Sequence, residues 1–174
     1  MKHLFATLLL LLGSVSPALA ERVRIPETTV SFEQPAGFTE LSQAEIDVKF
    51  PSKKGPAFVI GNERRTTTVA YDVKPVALQD KDLLGSLDGL GEMMKRGIPG
   101  LVWKKRELIE LDGQKWIYME MTSTALDTDI YNIFLMTPYS GKMLVFNFNS
   151  TKEDFPNLEA ALRASVASIR VREL

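Results

Sequence analysis

The feature that most constrains the fold is a run of four β-prone segments between residues 101 and 149, separated only by tight-turn sequences. Asp112-Gly113 favours positive φ and joins the first two segments in a long hairpin. Asp127-Thr128-Asp129 and Tyr139-Ser140-Gly141 turn the chain twice more, which predicts an antiparallel meander. Its strands are expected at Leu101–Leu111, Gln114–Thr124, Ile130–Thr137 and Lys142–Asn149.

The second strand of this meander carries apolar residues on both faces. Ile117 and Met119 alternate with Trp116 and Tyr118, whereas a sheet covered on one side would show polar residues on the other. We therefore expect an α+β fold: a single-domain α/β/α sandwich whose central sheet is the meander, with helices and N-terminal segments over both faces.

Two helices are predicted, one in the middle of the chain and one near its C-terminal end. The first begins near Leu83, where Asp80 or Asp82 can supply the N-cap. The second follows Ser150-Thr151 and Glu153-Asp154, which have the spacing of a capping box. The apolar stripes are Leu83, Leu87, Leu90 and Met94 in the first helix, and Leu158, Leu162, Val166 and Ile169 in the second.

The other segments are predicted to be extended. Thr28–Gln34 alternates apolar and polar residues as a half-buried strand does, and Phe38–Phe50 is interpreted as a second extended stretch. Further strands are expected at Ala57–Gly61 and Thr66–Val73, with a short edge strand at Val171.

Residues 1–20 have the pattern of an export signal. A short positive start precedes Leu4–Leu12, an apolar run too short to span a bilayer, and Ala18-Leu19-Ala20 suits a signal peptidase. The next residue, Glu21, leaves no cysteine for acylation. We therefore expect cleavage after Ala20, one globular domain over residues 21–174, a periplasmic or secreted location, and no stable membrane insertion.

Composition excludes several kinds of chemistry. The sequence has one histidine, which is His3 in the leader, and no cysteine. The mature chain therefore lacks Ser-His-Asp triads, thiol nucleophiles, His- or Cys-ligated zinc and disulfides. With 21 Lys and Arg against 22 Asp and Glu, the whole sequence also lacks the basic excess of a nucleic-acid-binding protein. We expect no enzyme activity, no cofactor and no nucleic-acid partner.

Carboxylates are the remaining candidates for catalysis. Glu120 lies in the middle of an apolar strand and, with Glu107 or Glu110 on the neighbouring strand, could form the acid pair of a glycoside hydrolase. Cross-strand pairing with Lys104 or Arg106 is the simpler explanation.

Two groups of residues could hold metal ions. Asp127 and Asp129 share a turn but lack the spacing of a calcium loop, so a role in stabilising the turn is favoured. Thioethers could bind Cu(I), but flexible methionines more simply fill a core. These methionines are Met119, Met121, Met136 and Met143.

Basic and aromatic residues are the candidates for contact with a partner. Basic residues gather in turns and on one strand, and aromatic residues are favoured at interfaces, although both groups also suit solvated turns and a core. Lys95-Arg96 and Lys104-Lys105-Arg106 are interpreted as a solvated turn and a strand edge protected against aggregation. The predicted binding residues are Lys53, Lys54, Arg64, Arg65, Trp116, Tyr118, Tyr131 and Tyr139.

Several short motifs follow one another in a recognisable order along nearly the whole mature chain. They are Pro35-Ala36-Gly37-Phe38 after an early strand, the Asp112-Gly113 hairpin, Tyr131-Asn132, Gly141-Lys142-Met143-Leu144, and a terminal helix running into Ser168-Ile169. This order resembles the PsbP-like and DcrB-like fold group. The resemblance implies an α/β/α sandwich with a binding, assembly or accessory role and no catalysis, and it transfers no site residue.

Three functional hypotheses remain. The leading one is a non-enzymatic periplasmic binding or accessory protein, for example an inhibitor or immunity protein, that meets a protein partner through loops 52–56, 62–65 and 138–142 or an aromatic sheet face. An alternative is a carrier of an apolar or amphiphilic ligand, which predicts a closed pocket of about 300–1,000 Å³ between sheet and helices. A further alternative is a carboxylate-dependent hydrolase.

Overall fold

A computed structural model describes residues 21–51, 55–125 and 128–171, so the predicted leader lies outside the described residues. Over these ranges the chain forms one α+β domain, as predicted. The helices are α1 (Gln43–Lys49), α2 (Leu83–Gly97) and α3 (Phe155–Ala167), and a 3₁₀ turn covers Asp80–Asp82. The strands are β1 (Arg22–Arg24), β2 (Val30–Glu33), β3 (Thr39–Glu40), β4 (Phe58–Gly61), β5 (Thr67–Lys74), β6 (Val102–Leu111), β7 (Gln114–Thr124), β8 (Asp129–Tyr139), β9 (Lys142–Thr151) and β10 (Arg170–Val171).

The predicted meander is confirmed as the four consecutive strands β6 to β9. Asp112 and Gly113 have φ values of 53° and 76°, and Ser140 and Gly141 have φ values of 48° and 73°. Such two-residue turns match the twist of the flanking strands, and they therefore fix the register of both hairpins. The whole sheet is antiparallel, with strand order β3-β4-β5-β9-β8-β7-β6.

The sheet is covered on both faces, which confirms the sandwich. One face, here called the α3 face, packs against α3 and a small sheet of strand order β1-β2-β10. The other, the α2 face, packs against α2 over β7 and β8 and against α1 over β4 and β5. Fully buried residues of the α3 face and its cover include Phe32, Trp116, Leu135, Phe146 and Phe148, and those of the α2 face and its cover include Leu83, Ile117, Met119 and Met121.

The prediction of an extended stretch at Phe38–Phe50 is wrong, because most of this segment forms α1. The Ser42 hydroxyl accepts a hydrogen bond from the Glu45 backbone N–H at 3.4 Å, and the Glu45 carboxylate accepts one from the Ser42 backbone N–H at 2.8 Å. Leu41 and Ile46 pack together across this reciprocal cap in the same core cluster. A capping box with a hydrophobic staple thus starts a helix of only two turns.

Only half of the capping box predicted for the closing helix forms, the hydrogen bond from the Asp154 N–H to the Thr151 hydroxyl. Asp154 directly precedes α3, but its side chain makes no capping hydrogen bond. Its carboxylate instead accepts hydrogen bonds from the Thr66 hydroxyl and from Arg64, the latter at 2.6 Å. The start of α3 is therefore tied to the β4–β5 turn, while the Thr151 hydroxyl accepts the Asp154 N–H at 3.2 Å.

Candidate functional site

The candidate acid Glu120 lies on the α3 face of β7 and is only 5% exposed. Arg163 of α3 donates to both of its carboxylate oxygens, from Nη1 at 2.8 Å and from Nη2 at 3.1 Å. The hydroxyls of Tyr118 and Tyr131 each donate to one of these oxygens as well. Arg163 also pairs with Glu159 one turn earlier, at 2.8 Å. Glu120 is therefore fully paired by a residue on a distant helix.

This pairing decides the protonation state of Glu120. Burial alone would raise the pKa of its carboxyl, but hydrogen bonds from Arg163, Tyr118 and Tyr131 and the charge of Arg163 lower it to about 2. Burial and the adjacent carboxylate raise the pKa of Tyr131 to about 12. A general acid of a glycoside hydrolase needs a raised pKa, so the network gives Glu120 the opposite property.

The second acid that a hydrolase needs is engaged elsewhere. Glu107 pairs with Lys105 at 2.8 Å, and the backbone register places Glu110 opposite Lys115. The predicted pairing of Glu120 with Lys104 or Arg106 is wrong as well. Arg106 instead donates to Asp88 at 3.4 Å and lies over the Trp103 ring, 5.0 Å from its centroid.

The residues considered for metal binding have other roles. Met119 and Met121 are fully buried under α2, where Met136 and Met143 join the same apolar cluster. Asp129 pairs with Lys152 at 3.4 Å, and Asp127 lies outside the described residues. Within the described part of the chain, no three acidic side chains come together in a way that could hold a metal ion.

Two of the four aromatic residues predicted to bind a partner are buried, and the other two are half-buried. Trp116 is 0% exposed and Tyr118 is 6% exposed, so neither offers an accessible surface to a protein partner. Tyr131 stacks on Phe155 of α3, with the ring centroids 3.6 Å apart. The half-buried Tyr139 accepts a hydrogen bond from the Thr29 backbone N–H at 3.0 Å.

The basic binding residues are partly committed to contacts within the chain. Arg65 pairs with Glu45 at 2.9 Å and donates to the backbone oxygens of Gly61 and Asn62. The Arg64 side chain is 70% exposed while it pairs with Asp154. Lys53 and Lys54 lie outside the described residues. Arg64 thus remains an accessible candidate for contact with a partner.

An open groove lies on the α2 face, beside α1, where β5 and β9 form the floor. It encloses about 450 Å³ and opens to solvent. The end of α1 and the two prolines that follow it build one wall. The groove is lined by Lys49, Phe50, Pro51, Gly55, Pro56, Ala70, Tyr71, Asp72, Lys74, Val145 and Asn147.

This open groove differs from the closed pocket that the carrier hypothesis predicts. The space between the sheet and α3 is filled by Trp116, Phe146, Phe148 and Leu162, each at most 1% exposed. The groove lies on the other face, and its floor is the stretch of sheet around Ala70 and Val145. Any ligand of this groove would therefore lie at the surface of the domain, against the sheet.

Few polar groups reach into the open groove. Asp72 pairs with Lys74 at 2.6 Å, and Lys74 also donates to the Gly55 carbonyl at 2.9 Å. The Lys49 ammonium donates to the Arg65 carbonyl at 3.0 Å, and burial lowers its pKa. The buried side-chain oxygen of Asn147 has no hydrogen-bond partner. The groove thus combines apolar walls with a few polar groups, as binding sites for small molecules do.

Sequence reasoning missed this groove because its residues come from four separate segments. The signal that could have pointed to it is Asn147, which interrupts the apolar residues of β9 with an amide on the α2 face. The described end of the predicted loop 52–56 and the predicted loop 62–65 adjoin the groove. Gly55 and Pro56 line it, and the Arg65 carbonyl accepts a hydrogen bond from Lys49.

The architecture is that of the PsbP-like fold group, with an open groove on one face. Among solved structures the chain is similar to cyanobacterial PsbP (CyanoP) from Synechocystis sp. PCC 6803, with a TM-score of 0.66 and 16% identity over 92% of this chain and 96% of that one. It is also similar to LpqN of Mycobacterium tuberculosis, which is involved in cell envelope biogenesis, with a TM-score of 0.57 and 12% identity over 83% and 84% of the two chains.

A third similar structure is PA94 from Pseudomonas aeruginosa, a protein of unknown function, with a TM-score of 0.55 and 14% identity over 90% of this chain and 100% of that one. No family model and no curated protein matches the chain. The likeness therefore confirms the predicted PsbP-like fold. Across the described residues, no helix combines the length and the apolar character needed to cross a membrane.

Proposed function

We propose that this protein is a non-enzymatic accessory protein, exported to the periplasm or the medium, that works by holding a ligand or partner in the open groove. The observation that carries the proposal is the groove itself, an exposed and largely apolar hollow of about 450 Å³ against β5 and β9. Apolar surface left uncovered in a small domain commonly marks a binding site.

The chemistry of the acidic residues supports binding over catalysis. Glu120 is held ionised by Arg163 and two tyrosines, and Glu107 is paired with Lys105. The similarity to LpqN, a protein of cell envelope biogenesis, agrees with a role outside the cytoplasm, as does the predicted leader at residues 1–20.

Filling the groove tests this proposal. Val145 is half-buried on the floor, so Val145→Trp would place an indole in the hollow with little change to the sheet. We expect wild-type protein purified from the cells that produce it to carry a bound molecule in native mass spectrometry, and V145W to have lost it. Val102→Trp, at an exposed site on the edge strand β6, is the matched control. If V145W and V102W carried the same amount of bound molecule, the groove would be refuted as the binding site.

A second candidate function is docking of a protein through the loop at residues 62–65, which the exposed Arg64 favours. An inhibitor or immunity protein would act in this way. In that case Arg64→Glu would abolish capture of a co-purifying protein, whereas V145W would leave it unchanged. The two variants thus separate a surface function from a groove function.

A further inference from the structure

The open groove has an uncompensated positive charge. Lys49 lines it, and the only hydrogen bond of the Lys49 ammonium within the described chain goes to the Arg65 carbonyl. None of the carboxylates of the described residues forms an ion pair with Lys49. Asp72, the acidic residue of the lining, pairs with Lys74 instead. A partly buried ammonium without a carboxylate favours an anion nearby, because the anion offsets the lost hydration.

The floor of the groove disfavours an extended peptide. β5 and β9 are interior strands that pair with each other along eight residues, and their outer neighbours are β4 and β8. Over Thr68–Tyr71, where β4 pairs with β5, these backbone groups are therefore not free to add a further strand. A peptide backbone in the groove would meet Asn147 and few other partners, and unpaired peptide groups are costly to bury. A hydrocarbon chain has no such requirement.

We propose that the groove binds an anionic amphiphile, with its hydrocarbon chain along Ala70 and Val145 and its acidic head at Lys49. This inference rests on the proposed function and names the ligand class of the same site. The apolar residues of the lining supply the surface for the chain, and the volume of about 450 Å³ suits one chain of moderate length. Lys49 supplies a charge-assisted hydrogen bond to the head group.

Calorimetry with a matched pair of lipids tests the inference. The probes are dodecanoate and its uncharged glycerol monoester, titrated below the concentration at which they form micelles, with acetate as the head group alone. We expect dodecanoate to bind about tenfold more tightly than the ester, which is the ratio for one charge-assisted hydrogen bond. Acetate should show no measurable binding, because it lacks the chain.

Variants assign the charge and the chain to their residues. Lys49→Gln should weaken dodecanoate about tenfold and leave the ester unchanged. V145W should abolish binding of both lipids. Lys95→Gln, which removes an exposed lysine of α2 outside the groove lining, is the matched control and should change nothing.

Three results would overturn the inference: equal affinities for the two lipids, an equal effect of K49Q on both, or binding of neither. If neither lipid binds but V145W still strips a natural ligand in native mass spectrometry, the proposed function stands and the ligand class is wrong. If V145W changes neither the affinity for the lipids nor the amount of natural ligand that co-purifies, the groove proposal fails as well.

Discussion

At the scale of single residues, Glu120 shows how a buried acid can be kept charged without becoming reactive. Its two carboxylate oxygens receive four hydrogen bonds, two from Arg163 and one each from Tyr118 and Tyr131. Sequence alone marks Glu120 as unusual, since it stands between Met119 and Met121. The sequence cannot show that the partner comes from a helix 43 positions away, because nothing local links them.

Removing the charge of Glu120 should destabilise the domain. Glu120→Gln replaces an acceptor-only group with an amide that cannot accept all four donors, so we expect a loss of about 1–3 kcal/mol in the free energy of unfolding, measured with urea. Glu159→Gln is the matched control, since Glu159 pairs with the same Arg163 but is 44% exposed; its loss should be below about 0.5 kcal/mol. Equal losses would contradict the network as a stabilising feature.

The same network predicts a dependence of stability on pH. The folded pKa of Glu120 is lowered from 4.5 to about 2, so its stabilising effect is complete above pH 4.5 and is lost as pH falls towards 2. We therefore expect the difference in unfolding free energy between wild type and E120Q to be constant at neutral pH and to shrink across this acidic window. A difference that grows on acidification would contradict the lowered pKa.

At the scale of elements, α2 carries glycines that differ in what surrounds them. A methyl group at Gly85 or Gly89 would enter open space, whereas at Gly91 it would run into the guanidinium of Arg106. That guanidinium lies over Trp103 and donates to the Leu87 carbonyl at 3.3 Å. Gly91 therefore allows the helix to approach β6 closely, which explains one interruption of an otherwise regular apolar stripe.

Alanine substitutions in α2 should separate these two kinds of glycine. Gly85→Ala and Gly89→Ala are each expected to stabilise the domain by about 0.5–1 kcal/mol, because alanine favours the helix and nothing obstructs its methyl group. Gly91→Ala should gain clearly less, since it displaces Arg106. Thermal unfolding followed by circular dichroism measures all three, and an equal gain at position 91 would show that the close approach has no cost.

The capping box of α1 should be essential to this short helix. Ser42→Ala removes the side-chain acceptor for the Glu45 N–H, so we expect a loss of about 1 kcal/mol in stability. Ser86→Ala makes the same chemical change inside α2 and should be neutral or slightly stabilising. Because α1 also builds a wall of the open groove, S42A should weaken the affinity of the groove for its ligand. Unchanged affinity would show that α1 does not contribute to binding.

At the scale of the whole molecule, the sequence predicts turns and periodic elements that local residues determine. It misses features that depend on contacts between distant segments. Asp112-Gly113 and Ser140-Gly141 fix the meander, and the stripe from Leu83 to Met94 defines α2. α1 carries a local signal in the capping-box spacing of Ser42 and Glu45, but two turns are too short to show a helical apolar period, and its burial against β4 and β5 is tertiary. The open groove escapes prediction because it exists where α1 and α2 cover the sheet incompletely, which no single segment encodes.

The small sheet has a practical consequence for handling the protein. β1 and β10 both pair with β2 in the small sheet that covers the α3 face. Arg22 in β1 and Val171 in β10 therefore lie on this side of the molecule. The groove belongs to the opposite side of the molecule. A covalent tether attached at either of these two positions would therefore lie on the face away from the groove, and a sensor chip loaded through it would leave the groove exposed to the flowing sample.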